Sequence, residues 1–596
     1  MNFSNSLASG KKCKSRRCRY WVRLFVILLV SIGTPIPRDP SASAAPESIV
    51  GLQPFLQSSS IEIKNAEGSR GLATLINLNP SINAWYLLLL DRGAAAESYH
   101  LENADPKRQR LVLDSRNPYG LAIRHGKESS VCELWAGNSS DNLRQSRKSK
   151  VPYAPLCDGK LYLRNPTKGH QTPIEAVTEF LRKEVPGGEE LVSFVRDTFF
   201  AYRYEKKAEE KVEARPSEPL SQRQPDSGPA PALLDPKESG RSVKPTDLGI
   251  EIQEPDPGGG MAPGAWYPAK DNPGIYVSVI VPNLIAPEVM RSHKGVVLDL
   301  DSVERVGLVY LVAFDLSLFD LHFTLGTEHP GVGWSSHIPD QMRNQALPGP
   351  DGIGTSAPLV RTGLVNPMDV SRTVATFTGG FKRLHGAFKY GPLSLKNHGS
   401  HYGFLENGVV FSRLQPELAT IYVLNDGSTE MKTWTQKDDD LLPGVKYARQ
   451  NGVPIIDGIS HDTGLSVPGS LVGQWGAGNW SGSEDKKLRT MRAGVGLQEF
   501  NKRRFLIYAF FWSATPSAMA RVFQAYQCRY AMLLDMNALV HTYLAVYKRT
   551  GANLYVQHLI RGMSEVDLTV KGRYIPRFLG YADDRDLFYL TRKEVP

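Results

Sequence analysis

Cysteine is scarce in this chain: five residues in 596, and two of them, Cys13 and Cys18, fall in a basic leader. None has the paired spacing of a zinc site. A Walker A loop, an H-E-x-x-H helix and a G-x-S-x-G elbow are also absent. Their absence removes the phosphate-cradling, zinc-hydrolase and serine-hydrolase signatures. A basic body is missing too. Eight cations against one acid in residues 1–44 account for +7 of the net +9, leaving +2 for everything else. A nearly neutral body offers no concentrated basic face, so no nucleic-acid partner is expected.

What is present begins with that leader. "KKCKSRRCRYWVR" precedes the apolar run "LFVILLVSIG", and Ala42-Ser43-Ala44 follows as a small-residue cleavage pattern. The run stops before Pro35, short of the roughly 20 residues that span a bilayer. The pattern predicts a signal peptide over 1–44 and export to a periplasm or the exterior. The alternative is a short uncleaved N-terminal anchor, the single membrane contact the sequence offers. Cys132 and Cys157 flank a polar, charge-rich loop. In an oxidising compartment they pair, contributing about 3 kcal/mol in the chain-entropy model; two separate buried thiols are the other reading. Cys528, in an apolar context, reads as a core residue.

The length predicts two folded domains with a linker. Residues 47–203 read as a smaller mixed α/β domain, with strands in "INAWYLLLLD", "RLVLD" and "GLAIRH". A helix follows over "TPIEAVTEFLRKEV", where Thr172, Pro173 and Glu175 form a capping box, and a second over "GEELVSFVRDTFF". Trp85 and Trp135 read as packing residues rather than sugar platforms. Residues 205–262 are charged, rich in proline and poor in aromatics, and read as a disordered linker. Residues 263–596 read as an α+β domain built on a mixed β-sheet. Its strands are "GIYVSVIVP", "VGLVYLVAFDL", "TVATFTGGF", "RFLIYAFFWS" and "RYAMLLD", with a hairpin turned by Asn407-Gly408 and a helix opened by Thr515-Pro516.

Four pieces of this second domain carry a resemblance. In chain order they are "ATFTGGF" (375–381), "HYGFLENGVVFS", "MRAGVGL" (491–497) and the helix-to-strand stretch ending "AMLLDMNALVH". Their order resembles the phosphodiester glycosidase family over about residues 300–550. The family strand ends in Asn-Gly-Gly-Phe, and here Thr378 replaces Asn while Gly379, Gly380 and Phe381 match. Arg492 and Asp535 match the family Arg and Asp. The family's Gly-Gly-Gly-Ser after that Asp is replaced by Met536-Asn537-Ala538-Leu539. Such glycines aim backbone N–H groups at an anion. Here only Asn537 tolerates positive φ readily, so Asn537 and His541 are the donors left to remake the cradle.

The same residues suit the chemistry the resemblance implies. Breaking a sugar-1-phosphodiester passes through an oxocarbenium-like state with a weakly basic leaving phosphate. It needs cationic or N–H stabilisation of the phosphate and one carboxylate for the sugar cation or for water. Asp535, Arg492 and His541 are the catalytic candidates. Thr378, Gly379, Gly380, Asn537, His461 and Asp462 are the substrate-binding candidates. Each has a plain alternative: Asp535 a turn acid, the glycines a bulge, Arg492 a structural ion pair. His398 and His401, with Asp457, His461 and Asp462, form two loop clusters that read as hydrogen-bonding loops rather than a metal site. No cofactor is expected. The sequence thus predicts an exported hydrolase of a phosphate-linked or anionic glycan, or a non-catalytic envelope protein of the same fold that binds glycan or a protein partner.

Overall fold

The structure is a computed structural model. It describes residues 48–594 except 65–69, 94–95, 136–140, 174, 178–179, 181–211, 214–227, 239, 254–259, 336–337, 383–386, 389–391, 397–402, 475–488 and 552. The described residues belong to one compact unit.

Runs of Val, Ile, Leu and aromatic residues make strands that are buried on both faces, and these dominate the architecture. An eight-stranded sheet runs Tyr267–Pro268, Ile275–Ile280, Val309–Asp315, Arg503–Ala514, Thr490–Phe500, Tyr530–Met536, Pro454–Ile459, Ser466–Pro468. A five-stranded sheet runs Phe319–Thr324, Leu587–Arg592, Thr373–Thr378, Leu544–Thr550, Asn553–His558. The two pack on each other through Phe377, Tyr508 and Phe588, the first ring 5.5 and 5.3 Å from the other two. A second five-stranded sheet, with Val409–Ser412 at its edge, contains Phe404–Glu406 and Val445–Gln450.

Among the described residues every pairing of named strands is antiparallel. That corrects the expected mixed sheet and α+β balance: the protein is mostly β with few, short helices. Parallel sheets need long helical crossovers, and this sequence spends its length on hairpins instead. Among the described residues the longest α-helix is Pro516–Ala525, with Thr515 accepting from the Ala518 N–H and Pro516 in its first turn, as its sequence indicates. The Asn407-Gly408 hairpin also forms, both residues at positive φ. Among the described residues no helix is long and apolar enough to cross a membrane.

The N-terminal region builds a six-stranded and a three-stranded sheet of its own. Cys132 and Cys157 form a disulfide with their Cα atoms 5.5 Å apart, and Cys528 is a buried free thiol. The capping box at the start of the Thr172 helix is present. The Thr172 backbone N–H donates to Glu175 Oε2 at 3.0 Å, and the Glu175 N–H donates to Thr172 Oγ1 at 3.3 Å. Most of that helix, and the whole of 188–200, lie outside the described residues.

No seam separates this region from the rest. Ile49, Leu78, Ile82 and Trp85 belong to the same buried cluster as the eight-stranded sheet. Gln53 bonds both backbone groups of Val410, donating to its carbonyl and accepting from its N–H, each at 2.8 Å. The stretch 205–262 needs a correction. Residues 205–211, 214–227, 239 and 254–259 lie outside the described residues, but 228–238 and 240–253 are packed rather than disordered. Ala230 N–H donates to Gln498 Oε1 at 2.9 Å, the Trp266 indole donates to Ala230 O at 2.8 Å, and Leu248 and Ile250 are buried. Small residues and backbone bonds order this segment without the aromatic content that marks a core.

Candidate active site

The sequence "ADDRD" (582–586) leads into the apolar strand Leu587–Arg592. That strand is paired on both sides in its sheet, and Asp583, Asp584, Arg585 and Asp586 are all buried. Buried charges require partners. They come from segments far away in sequence, and they fall into two clusters centred on neighbouring residues.

The first cluster centres on Arg585. Its Nη1 donates to Asp535 Oδ2 at 2.7 Å and its Nε to Glu175 Oε1 at 3.0 Å. The second oxygen of Asp535 accepts the Met536 N–H at 2.8 Å. His541 Nε2 lies 3.5 Å from Glu175 Oε1, and its Nδ1 lies 2.8 Å from Met536 O. Burial opposes the Glu175 charge, but His541 and Arg585 hold its carboxyl well below the usual range. Arg577 closes the flank with a two-pronged bond to Asp583, at 2.7 and 2.9 Å, and Asp583 also accepts the Arg585 N–H at 2.9 Å.

The second cluster centres on Asp586. Arg449 Nε donates to its Oδ2 at 2.9 Å, and His329 Nδ1 makes an ion-pair contact with Oδ1 without a directed hydrogen bond. Burial opposes ionisation of Asp586, yet Arg449 and His329 hold its pKa down to about 2. Burial pushes the His329 pKa below its ordinary value, with Asp586 opposing. The ring is 1% exposed and its Nε2 has no partner. Thr378 Oγ1 and Asp584 Oδ1 are also buried without a partner. Lys382 pairs with Asp584 and lies 3.7 Å from Glu328, which is 49% exposed. The cluster therefore reaches towards the surface there.

The Gly379-Gly380 pair explains itself against this second cluster. The Gly379 N–H donates to Asp586 O at 2.9 Å. A Cβ at Gly379 would collide with the Asp586 carboxylate, and one at Gly380, where φ is +141°, would sit 3.0 Å from the Arg449 guanidinium. The Gly379 amide is committed to the protein rather than to an anion.

The remaining sequence-nominated residues separate. Asp535 is 4% exposed and lies between the sheets. Its guanidinium partner is Arg585, not Arg492. Arg492 stands opposite Met536 in the ladder; its Nε donates to Ala514 O at 2.6 Å and its Nη1 lies 2.7 Å from Met536 Sδ. Neighbouring strand residues present opposite faces, and this pairing aligns Arg492 with Met536, away from Asp535. Asn537 takes positive φ (80°), and its Oδ1 accepts from Thr490 at 2.9 Å. His541 joins the Arg585 cluster. His461 and Asp462 sit in an exposed turn; Asp457, also exposed, accepts from Thr433 Oγ1 at 2.7 Å. His398 and His401 lie outside the described residues. Among the described residues no three His, Cys, Asp or Glu side chains are grouped to hold a metal ion. Surface hollows of about 310 and 360 Å³ lie beside Gly249 and beside the disulfide, neither lined by Asp535.

His329, Arg449, Glu175 and the Asp583–Asp586 segment were missed from sequence. The one sequence signal, a dense run of charge directly abutting an apolar strand, covers Asp583–Asp586 alone.

No family model matches the chain, and no curated protein matches it. Among solved structures it is similar to the catalytic domain of zebrafish N-acetylglucosamine-1-phosphodiester alpha-N-acetylglucosaminidase, auto-inhibited by its pro-peptide. The identity is 11%, over 64% of this chain and 96% of that one, with a TM-score of 0.27. It is also similar to a hypothetical protein from Synechocystis at 9% identity, over 90% of this chain and 100% of that one, with a TM-score of 0.21. TM-scores this low establish neither a family nor an activity.

Proposed function

We propose that the chain is an exported glycosidase-like hydrolase of a phosphate-linked or otherwise anionic glycan. Its chemistry is seated where His329, Thr378–Lys382, Asp535 and Asp583–Asp586 meet. One observation carries the reading. Segments far apart in the chain bring together three carboxylates, two guanidinium groups, an ammonium group and an imidazole whose buried Nε2 has no partner. Such a water-poor cluster strengthens every charge interaction within it. A leaving phosphate asks for positive charge, which Lys382 and Arg585 supply. The developing sugar cation asks for negative charge, which Asp535 and Asp584 supply.

A second reading has its own support. Both oxygens of Asp535 are already engaged, by Arg585 and by the Met536 N–H. A protein that keeps the fold and binds glycan or a protein partner without turnover has the same constellation. The secreted full-length chain, offered a panel of sugar-1-phosphodiesters and aryl glycosides, decides between them. Turnover lost in Asp535→Asn, with the chain still folded, supports the hydrolase. Saturable binding without turnover supports the alternative.

A further inference from the structure

Among the buried groups of the second cluster, one combination stands apart. His329 has a carboxylate behind one ring nitrogen and nothing on the other. Asp586 holds the Nδ1 side of the ring, so Nε2 points away from it. Asp586 is itself fixed by Arg449 Nε at 2.9 Å, and Arg449 is fixed by Phe381 O at 2.8 Å and Asn451 Oδ1 at 3.0 Å. The ring packs edge-on to Phe404 with centroids 6.3 Å apart, and Arg449 lies over that same Phe404 ring at 4.7 Å. The carboxylate, the guanidinium and the aromatic ring beside the imidazole are therefore held in place, and the Nε2 edge, away from Asp586, has no partner. A buried polar nitrogen without a partner costs about 1–3 kcal/mol, a cost that a purely structural residue has no reason to carry. Leucine or phenylalanine would fill the space more cheaply.

We propose that His329 is the proton-transferring catalytic residue of this site, with Asp586 and Arg449 as positioning residues; the proposal rests on the hydrolase reading. In the step it performs, a water molecule attacks the anomeric carbon of the glycan. As the new C–O bond forms, the water proton passes to His329 Nε2, and the bond to the leaving oxygen breaks with its electron pair on the departing phosphate. The imidazolium so formed is held by the Asp586 carboxylate and then returns its proton to solvent. Asp586, itself held as a carboxylate by Arg449, lies against the Nδ1 side of the ring and leaves Nε2 to accept the proton. Lys382 and Arg449 oppose a protonated ring and Asp586 favours it.

The test uses the full-length exported chain and the sugar-1-phosphodiester on which it turns over fastest. His329→Gln is expected to lower kcat by about 10²–10⁴-fold with KM changed less than threefold. It also abolishes the acid limb of the pH–rate profile, because that limb reports protonation of the base. Asp586→Asn moves the same limb to lower pH, since the ring loses its counter-charge; a residue that is merely structural would leave the limb in place. Should His329→Gln fail to fold, the wild-type ring is titrated by histidine ¹⁵N NMR, and its midpoint must coincide with the acid limb. A His329→Gln protein with wild-type kcat and an intact limb, or a ring titration that misses the limb, overturns the proposal while leaving the hydrolase reading standing. A wild-type chain that turns over nothing in the panel overturns both.

Discussion

Arg585 and Asp586 are adjacent in the chain and each anchors a buried ion cluster, yet the clusters differ in one respect. Around Arg585, both oxygens of Asp535 and both nitrogens of His541 have a partner, and Glu175 is shared between Arg585 and His541. Around Asp586 several polar atoms are left open, His329 Nε2, Thr378 Oγ1 and Asp584 Oδ1 among them. A closed cluster fixes geometry; an open one has something left to give. The residues that a strand-end reading of the sequence nominates, above all Asp535, sit in the closed cluster, whereas the open one is carried by His329.

The comparison breaks most visibly at Arg585. Arg585→Met leaves Asp535 and Glu175 buried without their cation, and the chain is expected to lose about 3–5 kcal/mol, read as a lower midpoint in urea unfolding. A loss under 1 kcal/mol would mean the closed cluster is not the structural one.

A third cluster sharpens the contrast. Arg164 also serves two carboxylates, Glu102 at 2.5 Å and Glu406 at 3.4 Å, but no histidine assists it. Burial pushes the Glu406 pKa up to about 7, with Arg164 opposing. A carboxyl with a raised folded pKa is most stabilising while protonated. Stability is therefore expected to fall as pH rises from about 4.5 to about 7, by about 3 kcal/mol at most. Glu406→Gln should remove that slope, and thermal melts of both proteins across this range check it.

The seating of the open cluster is tested at Gly379. Gly379→Ala drives a methyl group into the Asp586 carboxylate and is expected to cost about 1–3 kcal/mol, with turnover falling further than stability explains. Equal stability and equal rate would show that the pocket around Asp586 yields freely. The smallest effect is expected at the exposed turn. His461→Ala and Asp462→Asn should each change stability by less than about 0.5 kcal/mol and leave turnover unchanged. A loss of activity there would move the site away from both clusters.

Much of the fold was legible in the sequence because its signals are local. Apolar runs gave Val309–Asp315, Arg503–Ala514 and Tyr530–Met536; Thr515-Pro516 started a helix; Asn407-Gly408 turned a hairpin; Cys132 and Cys157 found each other. Strand direction was not local, and the mixed sheet expected from the run of strands turned out antiparallel. The site was legible only in part: Asp535 and His541 of one cluster and Thr378, Gly379 and Gly380 beside the other. Asp535 was found at a strand end, but its partner Arg585 lies 50 positions on and Glu175 lies 410 positions from Arg585. The run "ADDRD" has the composition of a solvated turn, and only the burial of the strand behind it turns those charges inward. Arg492 misled for a related reason: a strand fixes which face each residue presents, and a register shift between Arg492 and Gly494 is invisible in the sequence.

Gln53 has an effect well away from either cluster. Val409–Ser412 is the outermost strand of its sheet, and a bare outermost strand offers its amides to any passing chain. The Gln53 carboxamide, bonded to both backbone groups of Val410, imitates one residue of a neighbouring strand and stops the sheet from growing. One side chain thus guards this sheet edge against pairing with a second chain.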